Sequence, residues 1–176
     1  MRIRTIALAA TLLSTLAGPG HSKGESLGHP ANPMTDMLLL EGQCGPGMVL
    51  RGQPQASVSC KPLINTVYKN GRTGFYFSTQ RELITFSGVA PQINHGPNTV
   101  TQPIDLILIN TPGTASPNQP TTLTAKGDCT FSNPFRGLRT TLNCKATTSQ
   151  GAFIATFVHD GSTPKILLEN GTMQPD

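Results

Sequence analysis

The sequence contains no tryptophan, charged residues make up only 12% of it, and no stretch carries the convincing spacing of an amphipathic helix. Glycine and proline are abundant instead, with 18 and 15 residues. A chain short of helix signals and charge but rich in turn formers is built of strands and turns. No cysteine precedes Cys44, which excludes a lipid on a processed N-terminal cysteine. No two cysteines stand as C-x-x-C, so the close thiolate pairs of a structural metal site are missing. Basic residues such as Lys61, Lys69, Arg72 and Arg81 are scattered rather than striped, which argues against nucleic acid as a partner.

What is present begins with an export signal. Arg2 and Arg4 give a positive start, Ile6–Leu16 is an uncharged apolar run, and the small residues Ala17 and Gly18 follow. This is the layout of a cleavable secretory signal, and the run is about half of the roughly 20 residues that span a bilayer. Residues 1–20 are therefore expected to be removed, and stable membrane insertion is not expected. The pattern admits cleavage after Ala17, Gly20 or Ser22, within a window from 17 to 24, and does not choose among them. The arginines are not adjacent, so a twin-arginine signal does not apply. Thirteen basic residues face nine acidic ones in the full chain; losing Arg2 and Arg4 leaves 11 against 9. The apparent basicity thus shrinks to near neutrality, and the destination is the periplasm or the extracellular space.

Residues 21–35 are turn-rich and aperiodic and are expected to form a flexible leader; residues 36–176 are expected to form one all-β domain. Strict alternation marks strands over Thr122–Phe131 and Leu138–Thr147. Gly74–Thr79, Glu82–Ser87, Phe153–Val158 and Lys165–Glu169 follow the same logic. The nearly continuous apolar run Ile104–Ile109 reads as a strand covered on both faces. Asp160-Gly161 suits a tight hairpin turn between the last two strands, which leaves His159 in that turn. Ala90–Pro103 and Thr111–Pro120 read as loops. The expected architecture is an antiparallel β-sandwich or small β-barrel of about nine short strands.

The most specific feature is internal. Cys44, Arg51-Gly52 and Cys60-Lys61 are matched by Cys129, Arg136-Gly137 and Cys144-Lys145, with six residues in the first interval of both copies and seven or six in the second. A two-residue turn at Arg136-Gly137 sets Phe135 opposite Leu138, Phe131 opposite Leu142 and Cys129 opposite Cys144, at a separation a disulfide tolerates. Four cysteines allow three connectivities. The repeat favours Cys44 with Cys60 and Cys129 with Cys144, as two disulfide-closed hairpins forming an internal pseudo-repeat.

Candidate chemistry is thin, and no cofactor or catalytic residue is assigned. Ser162-Thr163-Pro164-Lys165 matches S-x-x-K, but the mechanism needs the serine at a helix start and Pro164 opens a strand here. Asp105, Asp128 and Asp160 do not form a pair spaced for glycoside hydrolysis. Asn170-Gly171-Thr172 matches a glycosylation acceptor. Cleavage after Gly20 would leave His21 as the N-terminal residue, with His29, His95 or His159 as a second imidazole. That arrangement resembles the sites of exported copper-binding β-sandwiches and copper monooxygenases, and it is the one enzymatic alternative. Tyr68, Arg72, Tyr76 and Arg81 form a candidate binding surface, because Phe75 and Phe77 should face the core and leave Tyr76 outside. The leading expectation is a non-catalytic binding or structural module whose partner is a protein or small ligand; a small-ligand carrier barrel is the third alternative.

Overall fold

The computed structural model describes residues 34–55, 60, 62–96, 98–111 and 119–168. The expected signal, the part of the expected leader up to residue 33, His21, His29, Lys61 and the 170–172 acceptor match lie outside them. The strands are β1 (Met34–Leu40), β2 (Gly42–Cys44), β3 (Val49–Leu50), β4 (Gln53–Pro54), β5 (Leu63–Tyr68), β6 (Thr73–Ser78) and β7 (Leu83–Gly88). They continue as β8 (Ile93–Asn94), β9 (Thr99–Asn110), β10 (Thr121–Ser132), β11 (Thr140–Thr148), β12 (Gly151–His159) and β13 (Lys165–Leu168). One short 3₁₀ turn, Pro134–Arg136, interrupts them. Among the described residues no helix is long and apolar enough to cross a membrane.

All pairings are antiparallel and follow the order β13-β1-β5-β6-β7-β9-β10-β11-β12-β3-β4, a path that does not return to its start. Off this path, β2 pairs with β12 and β8 with β9. Period-two alternation puts one apolar row after another on the same face. Phe75 pairs with Phe86, Phe86 with Ile107 and Ile107 with Leu123, so one row crosses four strands. Phe77, Ile84 and Ile109 form the next row. Phe153 and Phe157 enter the same core from β12. Each fully buried phenylalanine contributes roughly 1.5–3 kcal/mol by leaving water.

Both bridges join this core. Cys44 is linked to Cys60 and Cys129 to Cys144, with Cys129 and Cys144 directly opposed across β10 and β11. Their opposition follows the alternation of both strands, but the turn that closes the hairpin is not the two-residue turn expected. Pro134 cannot donate to a ladder, and the Asn133 side chain accepts from the Phe135 amide instead. The chain makes a 3₁₀ turn ending at Gly137, φ 66°. Phe135 and Leu138 are consequently unpaired and exposed. In the first unit Arg51-Gly52 does form a two-residue turn, with φ of 52° and 75°, between paired Leu50 and Gln53.

Four further expectations are corrected. β12 and β13 do not pair with each other: β12 lies beside β11, β2 and β3, and β13 beside β1. Asp160 donates its amide to the Glu41 carbonyl, so the chain runs on beside the β1–β2 segment instead of turning back. His159 is therefore the last residue of β12 and not part of a turn. Thr99–Pro103, read as loop, belongs to β9. Proline is tolerated at 103 because the β7 ladder ends at the Ser87–Leu106 pair and β8 pairs only with Val100 and Thr101, so among the described residues no ladder partner faces Pro103 on that side. Ile104–Ile109 is not covered on both faces: Ile107 and Ile109 are buried, whereas Leu106 and Leu108 are half-buried. The strand number exceeds nine because β1 and β5, with mixed patterns, and the two- and three-residue pieces β2, β3, β4 and β8 give weak sequence signals.

Replacing Cys129 and Cys144 together by alanine should lower the unfolding free energy by about 3 kcal/mol, since the bridge spans 15 residues. Urea denaturation under non-reducing conditions measures this. A loss under about 1 kcal/mol would show that the bridge does not constrain the unfolded chain as the loop-entropy account requires.

Candidate functional site

The outer face of β5, β6, β7 and β9 carries an organised group of polar side chains. Register places Tyr76 beside Ile64 on one side and Thr85 on the other. The hydroxyls of Tyr68 and Tyr76 are 3.1 Å apart, and the Thr66 hydroxyl lies 3.4 Å from that of Tyr76. Gly74 makes this packing feasible. A Cβ there would come within 2.9 Å of the Tyr76 ring and 3.1 Å of the Thr66 hydroxyl. Burial pushes the Tyr76 phenol up to about 12, with the Tyr68 hydroxyl adding to the effect and the Thr66 hydrogen bond opposing it.

Arg72 stands at the start of the same group. Its guanidinium donates to both carboxylate oxygens of Asp105, at 2.7 and 3.2 Å, and to the Ser87 hydroxyl at 3.2 Å. Ser87 in turn donates to the Thr73 carbonyl. The arginine is therefore fixed by a bidentate ion pair, the geometry in which guanidinium and carboxylate interact best. Its backbone is fixed as well: the Asn70 side chain accepts from the Arg72 amide, and the Tyr68 amide donates to the Arg72 carbonyl.

Of the four surface residues read from the sequence, Tyr68, Arg72 and Tyr76 thus come together. Arg81 does not. It is exposed in the turn after β6, whereas Arg72 precedes that strand, so six extended residues separate them. The sequence reading missed Asp105, Ser87 and Thr66. A single carboxylate inside the apolar run Ile104–Ile109 was the available signal, because such a charge needs a partner.

The histidines have separate surroundings. His95 is exposed, and its Nε2 lies 3.0 Å from the Thr101 hydroxyl, which lies 3.0 Å from that of Thr130. His159 is only 2% exposed, and among the described residues neither ring nitrogen has a hydrogen-bond partner. It borders a cavity of about 40 Å³ with Leu40, Asn65, Phe75, Leu142 and Phe157. Among the described residues no three His, Cys, Asp or Glu side chains converge to hold a metal ion. Asp160, next along, is solvent-exposed, and the Ser162 hydroxyl and then its amide hold the carboxyl below the usual range. Ser162 is thereby occupied in a turn, consistent with rejecting the S-x-x-K match.

Gly20-His21-Ser22-Lys23-Gly24 and Gly24-Glu25-Ser26-Leu27-Gly28 both fit G-x-S-x-G. They lie outside the described residues, in a turn-rich stretch without the strand-then-helix pattern of a nucleophile elbow. No family model, curated protein or solved structure matches the chain.

The chain's two tyrosines and lack of tryptophan make a direct test available. Ultraviolet titration should show Tyr76 ionising only near pH 12. Because the folded value lies above the ordinary one, the associated stability is complete below pH 10 and declines as pH rises from about 10 to 12. Tyr76→Phe should abolish its share of that decline. A second expectation concerns His159. Leucine in its place removes two unpartnered polar atoms, so His159→Leu should leave stability unchanged or raise it by about 1 kcal/mol in urea unfolding. A clear loss would mean that the imidazole is hydrogen-bonded in solution.

Proposed function

We propose that this protein is an exported, non-catalytic binding module that meets a protein or small ligand through the outer tyrosine face of β5–β7. The Tyr68–Tyr76 pair carries the reading. Two large amphipathic rings are held in place by Thr66 and by the space above Gly74, with the Arg72–Asp105 pair beside them. Preplaced tyrosines offer contact area and a hydroxyl at small conformational cost. Two disulfides suit an oxidising compartment, periplasmic or extracellular, which supports export.

Within the all-β class, a rolled sheet of barrel type fits the pairings better than two separate layers. Two observations favour it. β1 pairs with β5 while its continuation β2 pairs with β12, far along the strand path. Arg51, in the β3–β4 turn at one end of the path, makes a bidentate ion pair with Glu82 in the β6–β7 turn. The two stapled units are read as an old duplication, on the strength of matching cysteine spacing and a glycine of positive φ midway in each, Gly52 and Gly137. A carrier barrel is less favoured. Its ligand would need a few hundred Å³, and the cavity beside His159 has about 40 Å³.

A photoreactive residue at Ser78, exposed two residues from Tyr76, should give a defined adduct in envelope or culture extract. The same probe at Thr147, exposed on β11, should not. Tyr68→Ala should abolish the Ser78 adduct while leaving the thermal transition cooperative. Equal adducts from both positions would remove the reading. So would a mature protein that starts at His21, holds one copper per chain and shows oxidase activity.

A further inference from the structure

The geometry points to a second surface, separate from the tyrosine face: the 133–139 loop is a peripheral docking tip for an anionic lipid bilayer. Phe135 and Leu138 are the most solvent-exposed large apolar side chains among the described residues, at 51% and 62%. They alternate with Arg136 and Arg139, both exposed, in the run Phe135-Arg136-Gly137-Leu138-Arg139. Neither arginine has an ion-pair partner among the described residues, in contrast to Arg51 and Arg72. The charge at this loop is not spent on the fold.

The loop is held in shape. The Cys129–Cys144 bridge closes the hairpin behind it, and the Asn133 side chain accepts from the Phe135 amide at 2.9 Å. Gly161 packs so closely beneath that an added Cβ would lie 3.3 Å from the Gly137 carbonyl oxygen and the Arg139 amide nitrogen. Phenylalanine and leucine are therefore kept out in water by a fixed turn, where burial would otherwise favour folding them inward.

Neighbouring chain extends the same character. Ser132, just before the loop, pairs with Thr99, and β8 pairs with Val100 and Thr101 at that end of β9. Val89 and Ile93 are exposed there too, at 42% and 50%. Neither 89–98 nor 133–139 contains an acidic residue. Asp160, whose carboxylate accepts from the Ser162 amide, borders the same open groove as Arg139.

A projecting tip with apolar side chains between unpaired arginines matches the interfacial zone of a membrane. Rings and aliphatic chains enter the acyl boundary while guanidinium groups stay at the phosphates. The contact is reversible and needs no spanning segment.

Flotation with vesicles of phosphatidylcholine, alone or with about a third phosphatidylglycerol, tests this on the processed protein purified after export. The wild type should partition onto the anionic vesicles, more weakly as salt is raised. Arg136→Gln/Arg139→Gln should lower that partitioning about tenfold or more. Phe135→Ser/Leu138→Ser should lower it comparably, and because all four side chains are exposed, the melting transition should not move. Absence of wild-type binding to anionic vesicles would overturn the proposal. Binding that persists equally in the fourfold variant would also overturn it. So would a concentration-dependent dimer that disappears in Phe135→Ser/Leu138→Ser without vesicle binding, since the tip would then be a contact between copies. None of these outcomes depends on the tyrosine face.

Discussion

The chain from Met34 to Cys44 must satisfy two hydrogen-bonding edges at once. Along β1 it pairs with β5 and β13; from Gly42 onward it pairs with β12. Without β1, the edges of β5 and β13 would face water or another chain, and without β2 so would the end of β12, a known route to aggregation. Gly42 marks the change of partner, because a side chain there would collide with the Val158 carbonyl and the Phe157 ring. The rest of the core depends on this: Leu40, Phe157 and the Cys44–Cys60 bridge meet in one apolar cluster only because β1–β2 reaches both neighbourhoods.

Charge is used sparingly and for different ends. Arg51–Glu82 ties two turns together, and Arg72–Asp105 braces the tyrosine face. Pairs near 4 Å, such as Lys145–Asp128 and Lys165–Glu41, lie on the surface and contribute little. Against this pattern Arg136 and Arg139, which have no ion-pair partner among the described residues, stand out, as does the polar His159 ring within the core. Bracing, exposure and burial of polar groups thus occupy three different places on one sheet.

Much of the fold was legible from local pattern. Alternation located β6, β7, β10, β11 and β12 within a few residues, and the repeated cysteine spacing pointed to the bridges that formed. Local pattern failed where the outcome depended on a distant strand. Asp160-Gly161 has the chemistry of a hairpin turn, yet the edge of β1 was available to β13 and the Glu41 carbonyl to the Asp160 amide. Pro103 argued for a loop, but the gap between the β7 and β8 pairings along β9 allowed it into a strand. At the candidate site Tyr68, Arg72 and Tyr76 were visible as a cluster in sequence, while Asp105 was hidden 33 residues from Arg72.

By itself, the sequence determined which residues alternate inward, that four cysteines serve two bridges, and that strands rather than helices would form. These follow from side-chain size, polarity and period, which act over neighbouring residues. Only the tertiary structure decided which edges pair, that His159 is sealed in the core while Phe135 and Leu138 are held out of it, and which arginines find carboxylates. Those outcomes turn on how distant strands share edges and how turns close, so a short-range reading has no term that contains them.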